Sequence, residues 1–148
     1  MIKTAFLFLF IVIGIPVSST STLPITMHDE DRIIGEWYTE IRRSIIEVTK
    51  LAGKFYGKIT WVESGKPRKD IHNSDESKRD KLITEVYVMR DFVYNKANGE
   101  YEDGYIYNIS NGKEYCGKVY FKGENTIIAR GFIGFSLFGK DMKLTRVE

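Results

Sequence analysis

Apolar and polar positions alternate with a period of two along residues 54–61. Phe55, Gly57, Ile59 and Trp61 share one parity, and Lys54, Tyr56, Lys58 and Thr60 share the other. That pattern predicts a strand with one dry face and one wet face. The end of the chain reads likewise, with Met142, Leu144 and Arg146 set against Asp141, Lys143 and Thr145. Runs of this kind predict strands at 35–41, 44–50, 54–62, 82–93, 104–109, 114–121, 125–133 and 136–147. In the fourth run, the Val86 and Val88 alternation also suits a short helix. Turn chemistry separates most of them, at Ala52-Gly53, Asn98-Gly99, Asn111-Gly112 and Gly123-Glu124-Asn125. Short strands with turns between them predict an all-β fold, a small antiparallel up-and-down β-barrel of about eight strands. Closure would remove the exposed edges of an open sheet.

Two stretches depart from simple alternation. Residues 129–140 space Gly131, Gly134 and Gly139 among Phe132, Ile133, Phe135, Leu137 and Phe138. Glycines and aromatic residues in that density disfavour a helix, so the segment reads as two bent strands joined near Gly134. Residues 63–81 form one long polar loop of alternating charge, a solvated surface excursion by composition and a binding loop by length. Within it Ser74 is the expected cap of a single helical turn.

The beginning of the chain has the order of a secretory signal: Lys3, an apolar run over residues 5–17, then a small polar stretch. Gly14 and Pro16 interrupt the run well short of a membrane span. The predicted division is therefore a signal peptide at 1–19, a flexible lead-in at 20–31 and a barrel domain at 32–148. The expected location is secreted or periplasmic, with no stable membrane span after cleavage.

Composition changes the picture little. The chain is 43% hydrophobic and 28% charged, which favours a packed core over disorder. Its formal net charge of +2 falls to +1 when Lys3 leaves with the leader. Such a balance offers no global field for nucleic acid, and none is expected as a partner. Cys116 is the one cysteine, so the fold stands without an internal disulfide. Its neighbours Tyr115 and Val119 suggest a buried strand thiol.

In a closed barrel the first and last strands are neighbours, so Arg146 can lie across Trp37, which follows Gly35 in the first strand. Gly35, Trp37 and Arg146 are therefore read as a structural clasp, held by a cation–π contact. A Gly-x-Trp first strand with a late Arg resembles the lipocalin-like (calycin) barrels. A wider set of matches is similar to the exported bacterial proteins of domain-of-unknown-function family 2147. It includes Gly35-Glu36-Trp37, Tyr56-Gly57-Lys58-Ile59, Asp70-x-x-Asn73-x-Asp75 with Arg79, and Asp103-Gly104-x-Ile106-Tyr107. It continues through Gly112-Lys113-x-Tyr115, Arg130-Gly131-Phe132-Ile133-Gly134, Leu137-Phe138-Gly139-Lys140 and Thr145-Arg146-Val147. The departures are Arg79-Asp80-Lys81-Leu82-Ile83-Thr84, which lacks a Pro and a Gly of the family pattern, and Leu144 where a Trp is expected. The resemblance implies a calycin-type barrel and export, and it supplies no reaction.

The sequence contains no His-Glu-x-x-His, no Gly-x-Ser-x-Gly and no phosphate loop. Asp70, His72, Asp75 and Glu76 are oxygen-rich, yet their spacing fits no calcium loop. No catalytic residue, metal site or cofactor is therefore assigned. Candidate ligand-binding residues are Asp70, Asn73, Asp75 and Arg79 in the loop, with Tyr107 and Tyr115 from the matched strands. The leading reading is a non-enzymatic barrel holding a small apolar or amphipathic ligand. The alternative is a structural or protein-interaction module of the cell envelope with a filled barrel. A hydrolase or isomerase on a calycin scaffold comes third. Interior volume separates the first two, and the sequence assigns no oligomeric state.

Overall fold

The computed structural model describes residues 29–40 and 43–148. The expected leader at 1–19 and lead-in residues 20–28 lie outside the described residues. Eight strands follow one another: β1 Gly35–Thr39, β2 Ser44–Leu51, β3 Lys54–Val62, β4 Tyr87–Asn95, β5 Glu100–Asn108, β6 Lys113–Phe121, β7 Thr126–Phe132 and β8 Gly139–Arg146. Each pairs antiparallel with the next, and β1 pairs with β8, which closes the barrel. Asp29–Asp31, placed by sequence in the lead-in, instead belong to a 3-10 helix, Asp29–Ile33.

The meander puts two sets of connections at opposite ends. The 3-10 helix and the turns β2–β3, β4–β5 and β6–β7 gather at one end, which we call the closed end. The connections β1–β2, β3–β4, β5–β6 and β7–β8 gather at the other, the loop end. Contact between two of them is direct, since Glu63 N donates to Arg43 O at 2.9 Å.

Inward-facing side chains fill the barrel. Trp37, Ile46, Val48, Phe55, Ile59, Met89, Phe92, Tyr101, Val119, Ile127 and Leu144 are all buried in one continuous core. Phe92 sets the packing at mid-height. Gly104 and Gly117 are register partners on β5 and β6. A Cβ built on Gly104 would sit 2.4 Å from the Phe92 ring, and one on Gly117 would sit 2.8 Å from it. The two glycines thus clear the space that the ring occupies, and its burial contributes about 1.5–3 kcal/mol.

Several sequence expectations need correction. Trp61 is exposed, although Phe55, Gly57 and Ile59 are buried as alternation requires. The register shifts between Ile45 and Ile46, where Trp61 faces Ile45 and Ile59 faces Ile46. An extra residue in one strand reverses the parity beyond it, so Val62 packs on the core instead. Cys116 is exposed, not buried. On β6 the buried positions are Gly117 and Val119, and Cys116 has the opposite parity. The 82–86 stretch precedes β4, and its Ile83 reaches the core from the loop. Ser136–Phe138 is a 3-10 turn, so β8 starts at Gly139.

Candidate functional site

At the closed end, β1 and β8 meet in the register Trp37 with Arg146. The Arg146 guanidinium lies 4.2 Å from the Trp37 ring centre. It also donates to Ile34 O at 3.2 Å and to Arg32 O. Trp37 Nε1 donates back to Ile33 O at 2.8 Å. Burial lowers the Arg146 pKa, and the neighbouring Arg32 lowers it further. A Cβ on Gly35 would come within 3.2 Å of Arg146 Nη1. These contacts join the 3-10 helix to β1 and β8 at the barrel end. Tyr101 Oη donates to Glu30 O at 2.8 Å, and burial pushes its phenol pKa up. Outside this plug lies a cleft of about 440 Å³ lined by Arg32, Tyr94, Lys96, Glu100 and Phe121 among others. It lies at the closed end, where the buried core residue Tyr101 also lines it.

At the loop end, residues 63–86 fold back on the barrel. Asp70 N donates to Lys81 O at 2.8 Å and Ile83 N to Arg68 O at 3.0 Å, beside a bridge between Lys69 and Leu82. This small two-stranded core of the loop carries Asp70, which is fully buried. The Asp70 carboxylate accepts from Tyr107 Oη, 2.9 Å from both oxygens, and from Asn73 Nδ2 at 2.7 Å. Burial and the Asp70 carboxylate push the Tyr107 phenol up to about 12. Asn73 is buried too, and its Oδ1 accepts from Asp75 N at 3.0 Å. Arg79 Nε donates to Asn73 O at 2.8 Å, while its Nη1 pairs with exposed Glu76.

The expected cap, Ser74, is replaced by Asp75, whose carboxylate accepts from Ser77 N and Ser77 Oγ. The Ser77 hydroxyl and the Lys78 ammonium hold Asp75 down to about 2. The loop also closes on the β5–β6 turn. Gly112, at φ 67°, sits against His72, where a Cβ would lie 1.6 Å from His72 O. A residue with any side chain would have to move one segment or the other.

Five of the six candidate ligand-binding residues therefore come together, as Asp70, Asn73, Asp75, Arg79 and Tyr107. Tyr115 stands apart, its Oη accepting from Asn111 Nδ2 at 3.1 Å. The polar atoms of Asp70 and Asn73 are turned on each other and on Tyr107, which ties the loop to β5. Sequence reading took this loop as solvated, and burial of Asp70 and Asn73 corrects it. Among the described residues, no three His, Cys, Asp or Glu side chains are grouped to hold a metal ion. His72 is exposed in the loop.

A third feature of the loop end escaped the sequence reading. Ile133, Phe135, Leu137 and Phe138 point to solvent from the β7–β8 connection. Only their density within six residues signals it, and the same density also suits a buried strand.

An eight-stranded up-and-down barrel plugged by an N-terminal 3-10 helix and clasped by Trp and Arg is a lipocalin-like protein in architecture. The chain belongs to the family described as uncharacterized protein conserved in bacteria, DUF2147, which it matches over residues 35–146. Among solved structures it is similar to HP1028 of Helicobacter pylori, described as belonging to the lipocalin family. The two superpose with a TM-score of 0.69 at 22% identity, over 78% of this chain and 83% of the other. No curated protein matches the chain.

Proposed function

We propose that this protein is an exported, non-enzymatic lipocalin-like barrel with a filled interior, working through the surface of its loop end. The observation that carries this reading is the Phe92 ring packed against Gly104 and Gly117. It occupies the mid-barrel space that a deeply held ligand would need. The loop end is where the chain invests length, in residues 63–86 and 133–138, and loops on a rigid scaffold commonly carry recognition. Export is supported by the signal-like order of residues 1–19. N-terminal sequencing of the processed protein should start between Thr20 and Leu23, and an intact Met1 would overturn it.

A second reading keeps a small apolar or amphipathic ligand, which the lipocalin-like fold fits. Above Phe92, toward the loop end, half-buried Ile106 and Tyr115 are register partners. They offer a shallow seat rather than a chamber. Native mass spectrometry of protein purified from its source envelope separates the two readings. The filled barrel predicts the mass of the bare polypeptide, and a retained small molecule would refute it. No observation favours the third sequence reading, a hydrolase or isomerase.

A further inference from the structure

The β7–β8 connection carries the four largest exposures of any large apolar side chains described. Ile133, Phe135, Leu137 and Phe138 are 75–80% exposed and lie within six residues. An apolar cluster of this kind on a soluble surface marks a contact site. The segment is also ordered by its own hydrogen bonds. Arg130 Nε donates to Ser136 O at 2.6 Å and Nη2 donates to Leu137 O at 3.1 Å, while Nη1 pairs with Asp141 at 2.5 Å. Phe138 N donates to Phe135 O at 3.1 Å. Carbonyls already satisfied from within cost less to move into a medium without water.

The charges of the loop end select the medium. On the loop end, Lys66, Arg68, Lys81, Lys113 and Lys140 are exposed and have no carboxylate partner among the described residues. Most acids there are already engaged: Glu63 by Arg43, Asp75 by Lys78, Glu76 by Arg79, Asp80 by Lys69 and Asp141 by Arg130. Asp70 is buried, and Glu40 and Glu85 remain without an ion pair among the described residues. The excess on this face is therefore positive although the whole chain is nearly neutral. Lysine is depleted from the centres of protein–protein contacts. An apolar tip on a face with excess positive charge is what an anionic lipid surface attracts.

We propose that the β7–β8 tip is a membrane-docking element. It inserts Ile133, Phe135, Leu137 and Phe138 to the headgroup–acyl boundary of an anionic bilayer, with the unpaired cations over the lipid phosphates. The proposal rests on the loop-end reading for its location, and not on whether the interior is filled. No helix among the described residues is long and apolar enough to cross a membrane.

The test uses protein as processed by the producing cell, with one N-terminus established for wild type and variants. Vesicles of phosphatidylcholine with about one-third phosphatidylglycerol should sediment the protein, and pure phosphatidylcholine should retain roughly tenfold less. The double variant Phe135→Ser/Leu137→Ser should lower partitioning on the order of tenfold or more, with an unchanged melting temperature because both chains are exposed. In Phe135→Trp, emission measured against wild type should shift to the blue with anionic vesicles and be quenched by brominated acyl chains. The idea is overturned if the wild type ignores both vesicles, if the double variant binds as well as wild type, or if the introduced indole stays unquenched. Self-association lost in the double variant, without vesicle binding, would assign the tip to a second copy and also overturn it. A small molecule retained in the native mass spectrum would remove the filled-barrel reading while leaving vesicle binding untouched.

Discussion

Tyr107→Phe is the sharpest probe of how residues 63–86 are held. The substitution removes one hydroxyl from a site where Asp70 is fully buried and, among the described residues, takes bonds only from Tyr107 and Asn73. A hydrogen bond to a charged group contributes about 1.5–3 kcal/mol, and the buried carboxylate would be left one donor short. For an ordered domain of this size, 1 kcal/mol moves the melting temperature by about 3–4 °C. Tyr107→Phe should therefore lower it by about 5–10 °C in a thermal scan followed by circular dichroism. Arg79→Ala should cost about 1.5–3 kcal/mol through its lost bond to Asn73 O, with little added by the pair to largely exposed Glu76. In an Asp70→Asn background the Tyr107→Phe penalty should shrink by about 1 kcal/mol or more, since the charge that needs the phenol is gone. A Tyr107→Phe shift within about 2 °C of wild type would refute the reasoning. The loop would then be held by its backbone bonds alone.

Three further outcomes follow from packing, clasp and titration. Gly104→Ala places a methyl 2.4 Å from Phe92, which should cost about 1–3 kcal/mol in urea unfolding, and Phe92→Leu should recover part of it; an additive pair would mean the ring lies elsewhere. A double-mutant cycle of Trp37→Phe and Arg146→Met should give a coupling of about 0.5–2 kcal/mol, and strict additivity would contradict the 4.2 Å contact. With the Asp75 carboxyl held down to about 2 against an ordinary 3.8, the Glu76–Lys78 turn gains stability above about pH 4 and loses it as pH falls toward 2. Tyr107, raised to about 12, has the opposite sense: its contribution is complete below about pH 10 and is lost as pH rises toward 12. Protection of the Ser77 amide, its exchange rate relative to the intrinsic rate at the same pH, should fall on the acid side alone, and unchanged protection at pH 2 would contradict the cap.

The barrel was legible because its strands and turns are local signals. Alternation on β3 and the Ala52-Gly53 turn identify a hairpin from adjacent residues, and Ala52 and Gly53 both take positive φ. The parts that were not legible depend on partners remote in sequence or on single-residue parity. Asp70 looks like a surface acid until Tyr107, 37 residues on, lies over it. Cys116 sits one position from a buried glycine, and Gly117 gives no hydrophobic signal by which to set the strand's phase. Trp61 changes sides through a bulge that composition does not mark. The apolar residues at 133–138 follow the composition of a core strand, because the default place for such residues is inside.

The β1–β8 seam bears on how the chain finds its fold. Every other strand pairing in the barrel joins neighbours along the chain, six of them across short connections and β3–β4 across residues 63–86. Trp37 opposite Arg146 is the exception, a contact across nearly the whole length of the domain. Ordering that loop carries a larger entropic penalty than any of the seven pairings between chain neighbours. The seam is thus the natural last event of folding and the first to open. A permuted chain that joins the two ends and breaks within the Asn111-Gly112 turn would make the seam local and move the slow step to β5 and β6.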